Sequence, residues 1–112
     1  LTPQTATSLK QVGKGEDEAE QMLADALKLQ ELGAIAVVLE HIPDELGGVI
    51  SEKLEIPTIG CGAGKLCDGQ VMVLHDMLGI PGGKYPPFSK QFADLNSVVK
   101  QAFAEYKSWV QE

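Results

Sequence analysis

The sequence predicts an α/β fold built on parallel strands, and two patterns carry this prediction. Segments with apolar residues at helical spacing alternate with short apolar runs bounded by Gly and Pro, which is typical of βα units. The run AIAVVLE (residues 34–40) is apolar up to its last residue, as expected of a strand that is buried on both faces of a parallel sheet. About three strands are expected, which is too few for a complete sheet, so the chain is interpreted as one portion of a larger α/β body.

The first half of the chain predicts a loop, a helix and a strand. Residues 1–15 are polar and interrupted by Pro and Gly, which favours a loop. A helix is predicted over residues 16–32, because acidic residues crowd its first turns, where the helix dipole favours negative charge, and an apolar stripe follows. Gly33 is typical of a helix end, and the strand that ends at Glu40 comes next. The stripe comprises Ala19, Met22, Leu23, Ala26 and Leu27.

The second half predicts two further helices and two further strands. A helix begins at Pro43 and runs to residue 54; Gly47 and Gly48 weaken it locally but allow close packing against a sheet. Strands are predicted over residues 57–61 and 70–74, followed by a loop rich in Pro and Gly and a last helix over residues 97–110. The apolar stripes of the two helices are Leu46, Val49, Ile50 and Leu54, and then Val98, Val99, Ala102, Phe103, Tyr106 and Val110.

Length and composition describe a globular chain that forms at most one domain, residues 1–112. Hydrophobic residues make up 44% and charged residues 22%, and the net charge of −7 argues against nucleic acid or an anionic membrane as a partner. The chain begins Leu1-Thr2-Pro3-Gln4, with no initiating Met and no signal-peptide core, so we expect it to start within a longer protein. Without a secretion signal, the two cysteines are expected to be thiols in a cytoplasmic protein.

Glu40 is the first candidate for a catalytic residue. It ends a buried strand, and ligands of parallel α/β folds bind at the carboxyl ends of the strands. A partly buried carboxylate at such a position is suited to abstract a proton or to hold a metal-bound substrate. The alternative is a structural carboxylate that accepts hydrogen bonds from loop amides.

A glycine-rich turn, GCGAGK at residues 60–65, directly follows the second predicted strand. Closely spaced glycines let backbone amides approach an anion or a flat ligand. The spacing is not that of a phosphate-binding P-loop. A tight turn with a purely structural role explains the same residues, and both interpretations stay open.

The histidines and cysteines give weaker signals. His41 and His75 each end an apolar run, and His75 precedes Asp76, but neighbours on a strand point to opposite faces. Cys61 and Cys67 match no common zinc spacing, so no metal ligands are predicted; Cys61 is interpreted as a small core residue and Cys67 as a loop thiol. The aromatic residues of the last helix are predicted to pack rather than to bind a ligand.

Four segments together resemble the C-terminal part of ketopantoate hydroxymethyltransferase, also called 3-methyl-2-oxobutanoate hydroxymethyltransferase. They are LTPQ (residues 1–4), AIAVVLEHIP (34–43), IPTIGCGAG (56–64) and DGQVMVLHDMLG (68–79), and they occur in the family's order. The resemblance implies that the chain is the C-terminal portion of a (β/α)8 barrel of the TIM type, with about three parallel strands and flanking helices. It also implies a homo-oligomer, which is a decamer in the family.

The resemblance implies the transfer of a one-carbon unit from 5,10-methylenetetrahydrofolate to 3-methyl-2-oxobutanoate. The product is 2-dehydropantoate, a precursor of pantothenate and coenzyme A. A divalent metal, usually Mg²⁺, chelates the keto acid and acidifies its C3 proton. Glu40 falls on the family's catalytic base, and Gly62, Ala63 and Gly64 fall on a turn near the active-site mouth, where they are expected to bind substrate or cofactor.

The sequence also departs from the family. The metal-binding carboxylates and the substrate-binding Ser and Lys of the family are expected on strands before Leu1, the loop over residues 5–15 is short, and Cys61 replaces an aliphatic residue. We therefore expect this chain alone to be inactive and to work with an N-terminal half or a partner chain. Two alternatives stay open: a keto-acid enzyme of the phosphoenolpyruvate mutase and isocitrate lyase type, and a non-catalytic, self-associating fragment whose strand edges pair with a second copy.

Overall fold

The computed structural model describes residues 11–112; the LTPQ segment and most of the predicted N-terminal loop lie outside these residues. The described chain divides into two compact units, the first ending at Val71 and the second comprising Met72–Glu112. The prediction of a single partial barrel domain stays a prediction. The elements in chain order are α1 (Glu16–Glu31), β1 (Val37–Glu40), α2 (Asp44–Lys53), β2 (Thr58–Cys61), β3 (Gly69–Gln70), α3 (Leu74–Leu78) and α4 (Leu95–Gln111).

The first unit contains a parallel sheet with the strand order β1-β2-β3. Helix α2 connects β1 to β2, which is the crossover that two parallel neighbours require. The strands are in register at Val38 opposite Ile59 and at Glu40 opposite Cys61. The predicted α/β class with three parallel strands and flanking helices is therefore confirmed.

Helix α1 and helix α2 have the bounds that the sequence predicts to within one residue. Three acidic residues occupy the first turn of α1 and Lys28 its last turn, as the helix dipole favours. Gly33 follows α1 with a positive φ of 96°, a conformation that glycine adopts without steric cost. Pro43 directly precedes α2, where its missing N–H and fixed φ are tolerated.

The core of the first unit lies between one face of the sheet and the two helices. Ile42 and Ile50 are fully buried, and Val37 and Leu39 point into the same cluster from β1. Burial on both faces of β1 was the prediction, and it is wrong for the described residues: Val38 is 55% exposed and Ile35, before the strand, 89%. Successive strand residues point to opposite faces, and the helices of the described chain cover only one of them.

Two glycines of α2 permit a close approach to the segment after β2. A Cβ on Gly47 would lie 2.2 Å from the carbonyl oxygen of Ala63, and one on Gly48 would lie 2.7 Å from the side chain of Leu66. Close packing at these glycines is confirmed, but their partner is the loop after β2 rather than the strands of the sheet, which the prediction named. Of the predicted apolar stripe, Val49 is exposed whereas the other three residues are buried.

The third strand is shorter than predicted, and part of its sequence forms a helix. Strand β3 contains only Gly69 and Gln70, and α3 begins at Leu74. The apolar run that precedes His75 is compatible with either structure, and Leu74, Met77 and Leu78 have the i, i+3, i+4 spacing of a short helix. Gly79 ends this helix in the left-handed conformation, with a φ of 68°.

Helix α4 begins two residues before its predicted start, at a polar cap. The carboxylate of Asp94 accepts hydrogen bonds from the backbone N–H of Ser97 (3.3 Å) and from its hydroxyl (2.6 Å). Both bonds favour the charged carboxylate and lower the pKa of Asp94. No residue of α4 is buried, and Phe103 is 69% exposed, so the aromatic residues of this helix do not pack into a core of the described chain. Tyr106 and Trp109 contact each other, with ring centroids 6.0 Å apart. None of the described helices has the length and apolar character needed to cross a membrane.

Candidate functional site

Glu40 is the last residue of β1 and lies at the carboxyl end of the sheet. Its Cα is in register with that of Cys61 at the end of β2. Because Val37 and Leu39 point toward the helices, alternation places Glu40 on the opposite face, with Val38. Glu40 is half-buried rather than extended into solvent. It is therefore a partly buried residue at the end of a strand, as a candidate general base is expected to be.

The backbone turns sharply at His41, directly after Glu40. His41 has a φ of 48°, which is uncommon for a residue other than glycine and is found mainly at tight turns and functional sites. Its N–H donates a hydrogen bond to the carbonyl of Cys61 (2.9 Å), and its carbonyl accepts one from the N–H of Val12 (3.2 Å). These two bonds fix the chain at the end of β1, next to the candidate base.

His75 does not end a strand as predicted; it lies in α3, in the second unit, together with Asp76. The prediction about opposite faces of a strand is therefore wrong for this pair.

The glycine turn, residues 62–64, follows β2 and lies against the beginning of α2. Gly62 and Gly64 have positive φ values of 75° and 82°. A Cβ on Gly64 would lie 2.6 Å from the Cβ of Asp44, so the backbone there touches the first residue of α2. Ala63 is fully buried in the core. The turn thus has the structural role that one interpretation gave it, and a contact between Ala63 and a ligand would have to come from its backbone.

A polar network closes the loop that carries the glycine turn, and the sequence analysis missed it. Thr58 is fully buried at the start of β2; its N–H and its hydroxyl both lie within hydrogen-bonding distance of Asp68 Oδ2, at 2.9 and 3.2 Å. Ser51 in α2 lies 2.6 Å from the same hydroxyl. Polar residues at these three positions give no local pattern, because the partners come from a helix, a strand and a loop.

A groove of about 380 Å³ runs along the edge of β1 that β2 does not occupy. Residues of both strand faces line it, as expected of a groove along a strand edge, and Met22, Ala26 and Leu29 of α1 form its other wall. Glu40 is the one ionisable residue in this lining. The groove is therefore an apolar slot beside an unpaired strand, with the candidate base at one end.

The described residues include no group of three or more His, Cys, Asp or Glu side chains that is arranged to hold a metal ion. Cys61 and Cys67 are both thiols and both half-buried, which confirms the predicted thiol state. Cys67 lies in the loop between β2 and β3, as predicted, and its Sγ is 3.9 Å from the carbonyl oxygen of Ala63 in the glycine turn.

Comparison with known proteins relates the whole chain to one family. The family model of ketopantoate hydroxymethyltransferase matches residues 1–112. Curated proteins named 3-methyl-2-oxobutanoate hydroxymethyltransferase are similar to it: that of Desulforapulum autotrophicum is 47% identical over 110 residues, 98% of this chain and 41% of the relative. That of Picosynechococcus is 50% identical over 108 residues, 95% of this chain and 41% of the relative.

A third relative, from Chlorobaculum parvum, is 52% identical over 99 residues, which are 88% of this chain and 36% of the relative. The chain thus spans about two-fifths of the length of the curated relatives that it matches. The identity is well above what fold likeness alone requires and extends over nearly the whole sequence. The chain therefore belongs to the ketopantoate hydroxymethyltransferase family.

Proposed function

We propose that this chain is the catalytic-base segment of a 3-methyl-2-oxobutanoate hydroxymethyltransferase. The reaction moves the methylene carbon of 5,10-methylenetetrahydrofolate to C3 of the keto acid; its bonds to the folate nitrogens break and tetrahydrofolate is released, while water supplies the hydroxyl group of 2-dehydropantoate. The observation that supports this most directly is the position of Glu40: in a member of this family, a half-buried carboxylate ends a parallel strand at the edge where such folds bind ligands.

Glu40 acts as the general base in this proposal. Its carboxylate removes the C3 proton of the keto acid, and the electron pair of the broken C–H bond moves onto the C2 carbonyl oxygen to give an enolate. The enolate carbon is the nucleophile that bonds to the one-carbon unit. The carboxylate oxygen of such a base must lie about 2.6–3.2 Å from the atom that carries the proton, and the fixed turn at His41 holds the end of β1 in place for this.

The described residues do not supply a site for a divalent metal, so no step of the proposal passes through Mg²⁺. Metal ligands, together with the remainder of the keto-acid and folate sites, are assigned to the three-fifths of the relatives' length that this chain does not match. The 112-residue chain on its own is therefore expected to give no turnover.

A partial (β/α)8 barrel is the architecture that we propose for the chain. The β1 edge has an apolar slot between the strand and α1, where a further parallel strand would bury Met22 and Leu29 and pair with the strand backbone. The exposed sheet face with Val38 and Glu40 would then face the barrel interior. Gly62, Ala63 and Gly64 would lie at the mouth of the barrel, where we propose that their backbone binds substrate or cofactor. Homo-oligomerisation and a cytoplasmic location, both predicted from the sequence, belong to this proposal.

A chimera tests the proposed function. Residues 1–112 replace the matching segment of the Desulforapulum autotrophicum relative, and formation of 2-dehydropantoate is measured with keto acid, methylenetetrahydrofolate and Mg²⁺. We expect turnover by the chimera, none by the 112-residue chain, and a loss of about 10²–10⁴-fold for Glu40→Gln, the usual contribution of a general base.

Glu52→Gln, an exposed substitution in α2, is the matched control and should leave the rate unchanged. Solvent deuterium exchange at C3 of the keto acid isolates the proton-transfer step, and it should be lost in Glu40→Gln together with turnover. Full activity of Glu40→Gln, or turnover by the isolated chain, would contradict the proposal.

Self-association without catalysis is a second candidate, which the exposed edge and the exposed face of β1 favour. Sedimentation at increasing concentrations of the 112-residue chain tests it, and Glu40→Gln should not change the result. The match of the family model over residues 1–112 favours the transferase over the phosphoenolpyruvate mutase alternative.

A further inference from the structure

We propose that Asp68 and Gln70 are positioning residues that hold the glycine turn (residues 62–64) in place to bind the keto acid. This inference rests on the proposed function and deepens it, because it assigns the turn to one of the two substrates. Neither residue is a candidate for a chemical step. Gln70 acts on the turn through a hydrogen bond to Gly64, and Asp68 acts on it through the loop that Asp68 joins to Thr58. Neither residue is predicted by the sequence pattern.

Asp68, at the end of the loop that follows β2, is hydrogen-bonded to the first residue of β2. Its Oδ2 accepts from the backbone N–H of Thr58 (2.9 Å), and its own N–H donates to the Thr58 hydroxyl (3.2 Å). Thr58 is fully buried, and its hydroxyl also contacts Ser51 of α2. The glycine turn lies between Thr58 and Asp68 in the sequence. The hydrogen bonds between these two residues therefore join the two ends of the segment that carries the turn.

Gln70 forms a hydrogen bond to the glycine turn itself. Its side-chain Nε2 donates to the carbonyl oxygen of Gly64 (2.8 Å) from strand β3. Its Oε1 would lie 3.1 Å from a Cβ built on Gly60, so the same amide lies over the end of β2. One side chain on the third strand therefore reaches the last residue of the glycine turn and, two residues before the turn, the end of β2.

The opposite side of the turn rests on α2, which leaves it little freedom. The carbonyl of Ala63 touches Gly47, and Gly64 touches Asp44. Both contacts are made by backbone packed against backbone or a short side chain, so they resist compression but supply no hydrogen bond that draws the turn inward.

On the other side, Gln70 donates a hydrogen bond to the turn directly, and the Cys67 thiol lies 3.9 Å from the Ala63 carbonyl oxygen. Asp68 restrains the turn indirectly, because it joins the end of the loop to Thr58.

The register indicates which substrate the turn serves. Glu40 and Cys61 are partners on adjacent strands, about 4.8 Å apart, and the glycine turn begins one residue after Cys61. A base must lie within about 3 Å of the atom that carries the proton it removes. A five-carbon keto acid that Glu40 can reach therefore also contacts this turn. Displacement of the turn by about 1 Å is enough to lower productive binding substantially. The folate is large and can bind mostly elsewhere.

The experiment uses the chimera with Asp68→Ala or Gln70→Ala. We expect KM for the keto acid to rise about tenfold in each variant, with KM for methylenetetrahydrofolate changed by less than twofold. Thr58→Ser keeps the hydroxyl that pairs with Asp68 and should retain the original KM. The control is Gln101→Ala, which removes a similar exposed side-chain hydrogen bond, to Glu105 at 3.1 Å, from a helix of the second unit.

A second measurement follows the turn without activity. Amide hydrogen exchange of the 112-residue chain should become faster at residues 62–66 in Asp68→Ala and Gln70→Ala, and should stay unchanged there in Gln101→Ala. A purely stabilising role would speed exchange throughout the first unit and leave both KM values unchanged, which would overturn the proposal.

The outcomes separate this inference from the proposed function. An inactive unsubstituted chimera, or full activity of Glu40→Gln, overturns the proposed function and this inference with it. An active chimera that depends on Glu40 but keeps its keto-acid KM in both positioning variants overturns this inference alone. Equal rises in KM for both substrates overturn the assignment of the turn to the keto acid.

Discussion

Different kinds of interaction stabilise the first unit and the second unit of the chain. In the first unit, residues from both helices, from β1 and from the turn after β2 form a common core, so the folded state depends on contacts between distant parts of the sequence. In the second unit, α4 buries none of its residues. Hydrogen bonds hold its beginning: Ser97 donates to the cap residue Asp94. Asn96 donates to the carbonyls of Gly79 (3.0 Å) and Ile80 (2.9 Å). The first unit thus shows what apolar packing contributes, whereas the second shows how hydrogen bonds, both local and long-range, define the beginning of a helix that has no buried residue.

The largest expected effect is in the core of the first unit. Ile50 is fully buried between α2 and the sheet, and Ile50→Ala should lower the free energy of unfolding by about 2–5 kcal/mol, because it removes apolar contacts and leaves a cavity. Val99→Ala on the exposed face of α4 should cost less than about 0.5 kcal/mol. Urea unfolding followed by hydrogen exchange in each unit measures both, and equal costs would remove the distinction between the units.

A smaller effect is expected where α2 meets the loop after β2. Gly47→Ala places a methyl group 2.2 Å from the Ala63 carbonyl oxygen, and overpacking of this kind typically costs about 1–3 kcal/mol. The control is Gly83→Ala in the second unit, where the nearest atom to a new Cβ is 4.0 Å away. The same urea measurement applies; a neutral Gly47→Ala would mean that α2 and the loop separate easily.

The smallest expected effect is the pH dependence of the α4 cap. The pKa of Asp94 is lowered from its ordinary value of 3.8 by hydrogen bonds from Ser97. The unfolded chain therefore binds a proton more readily than the folded chain, and the contribution of the cap is complete above pH 3.8 and lost as the pH falls through the lowered pKa.

Amide exchange at the first turn of α4 measures this dependence. It should become faster, relative to the last turn, as the pH falls through that range. Asp94→Asn keeps an acceptor at the cap but does not titrate, and it should remove this acid dependence. An unchanged acid dependence in Asp94→Asn would show that the cap does not depend on the ionisation of Asp94.

Much of the fold was predictable because the spacing of apolar residues agrees with the residues that begin and end each helix or strand. The acidic start and glycine end of α1, Pro43 before α2 and the apolar runs of β1 and β2 are signals that each residue carries locally. The predicted strand at residues 70–74 failed because an apolar run without alternation does not distinguish a strand from a short helix. The burial of β1 on both faces failed because it depends on what covers the second face, and the described residues cover only one.

The candidate site, like the fold, was predictable from the sequence only in part. The position of Glu40 at the end of a strand and the turn after β2 followed from the order of residues, and the structure places the ends of both strands side by side. The pairing of Thr58 with Asp68 did not, because the two residues are ten positions apart and no local pattern links them.

The sequence by itself determined the α/β class, most helix and strand positions and the location of the candidate base, because local propensity and hydrophobic spacing are properties of neighbouring residues. Only the tertiary structure decided the side to which Glu40 points, the burial of Ala63 and the hydrogen bonds that hold the glycine turn. These depend on the register between strands and on the approach of α2 to the loop, and both are set by packing among residues that are far apart in the chain.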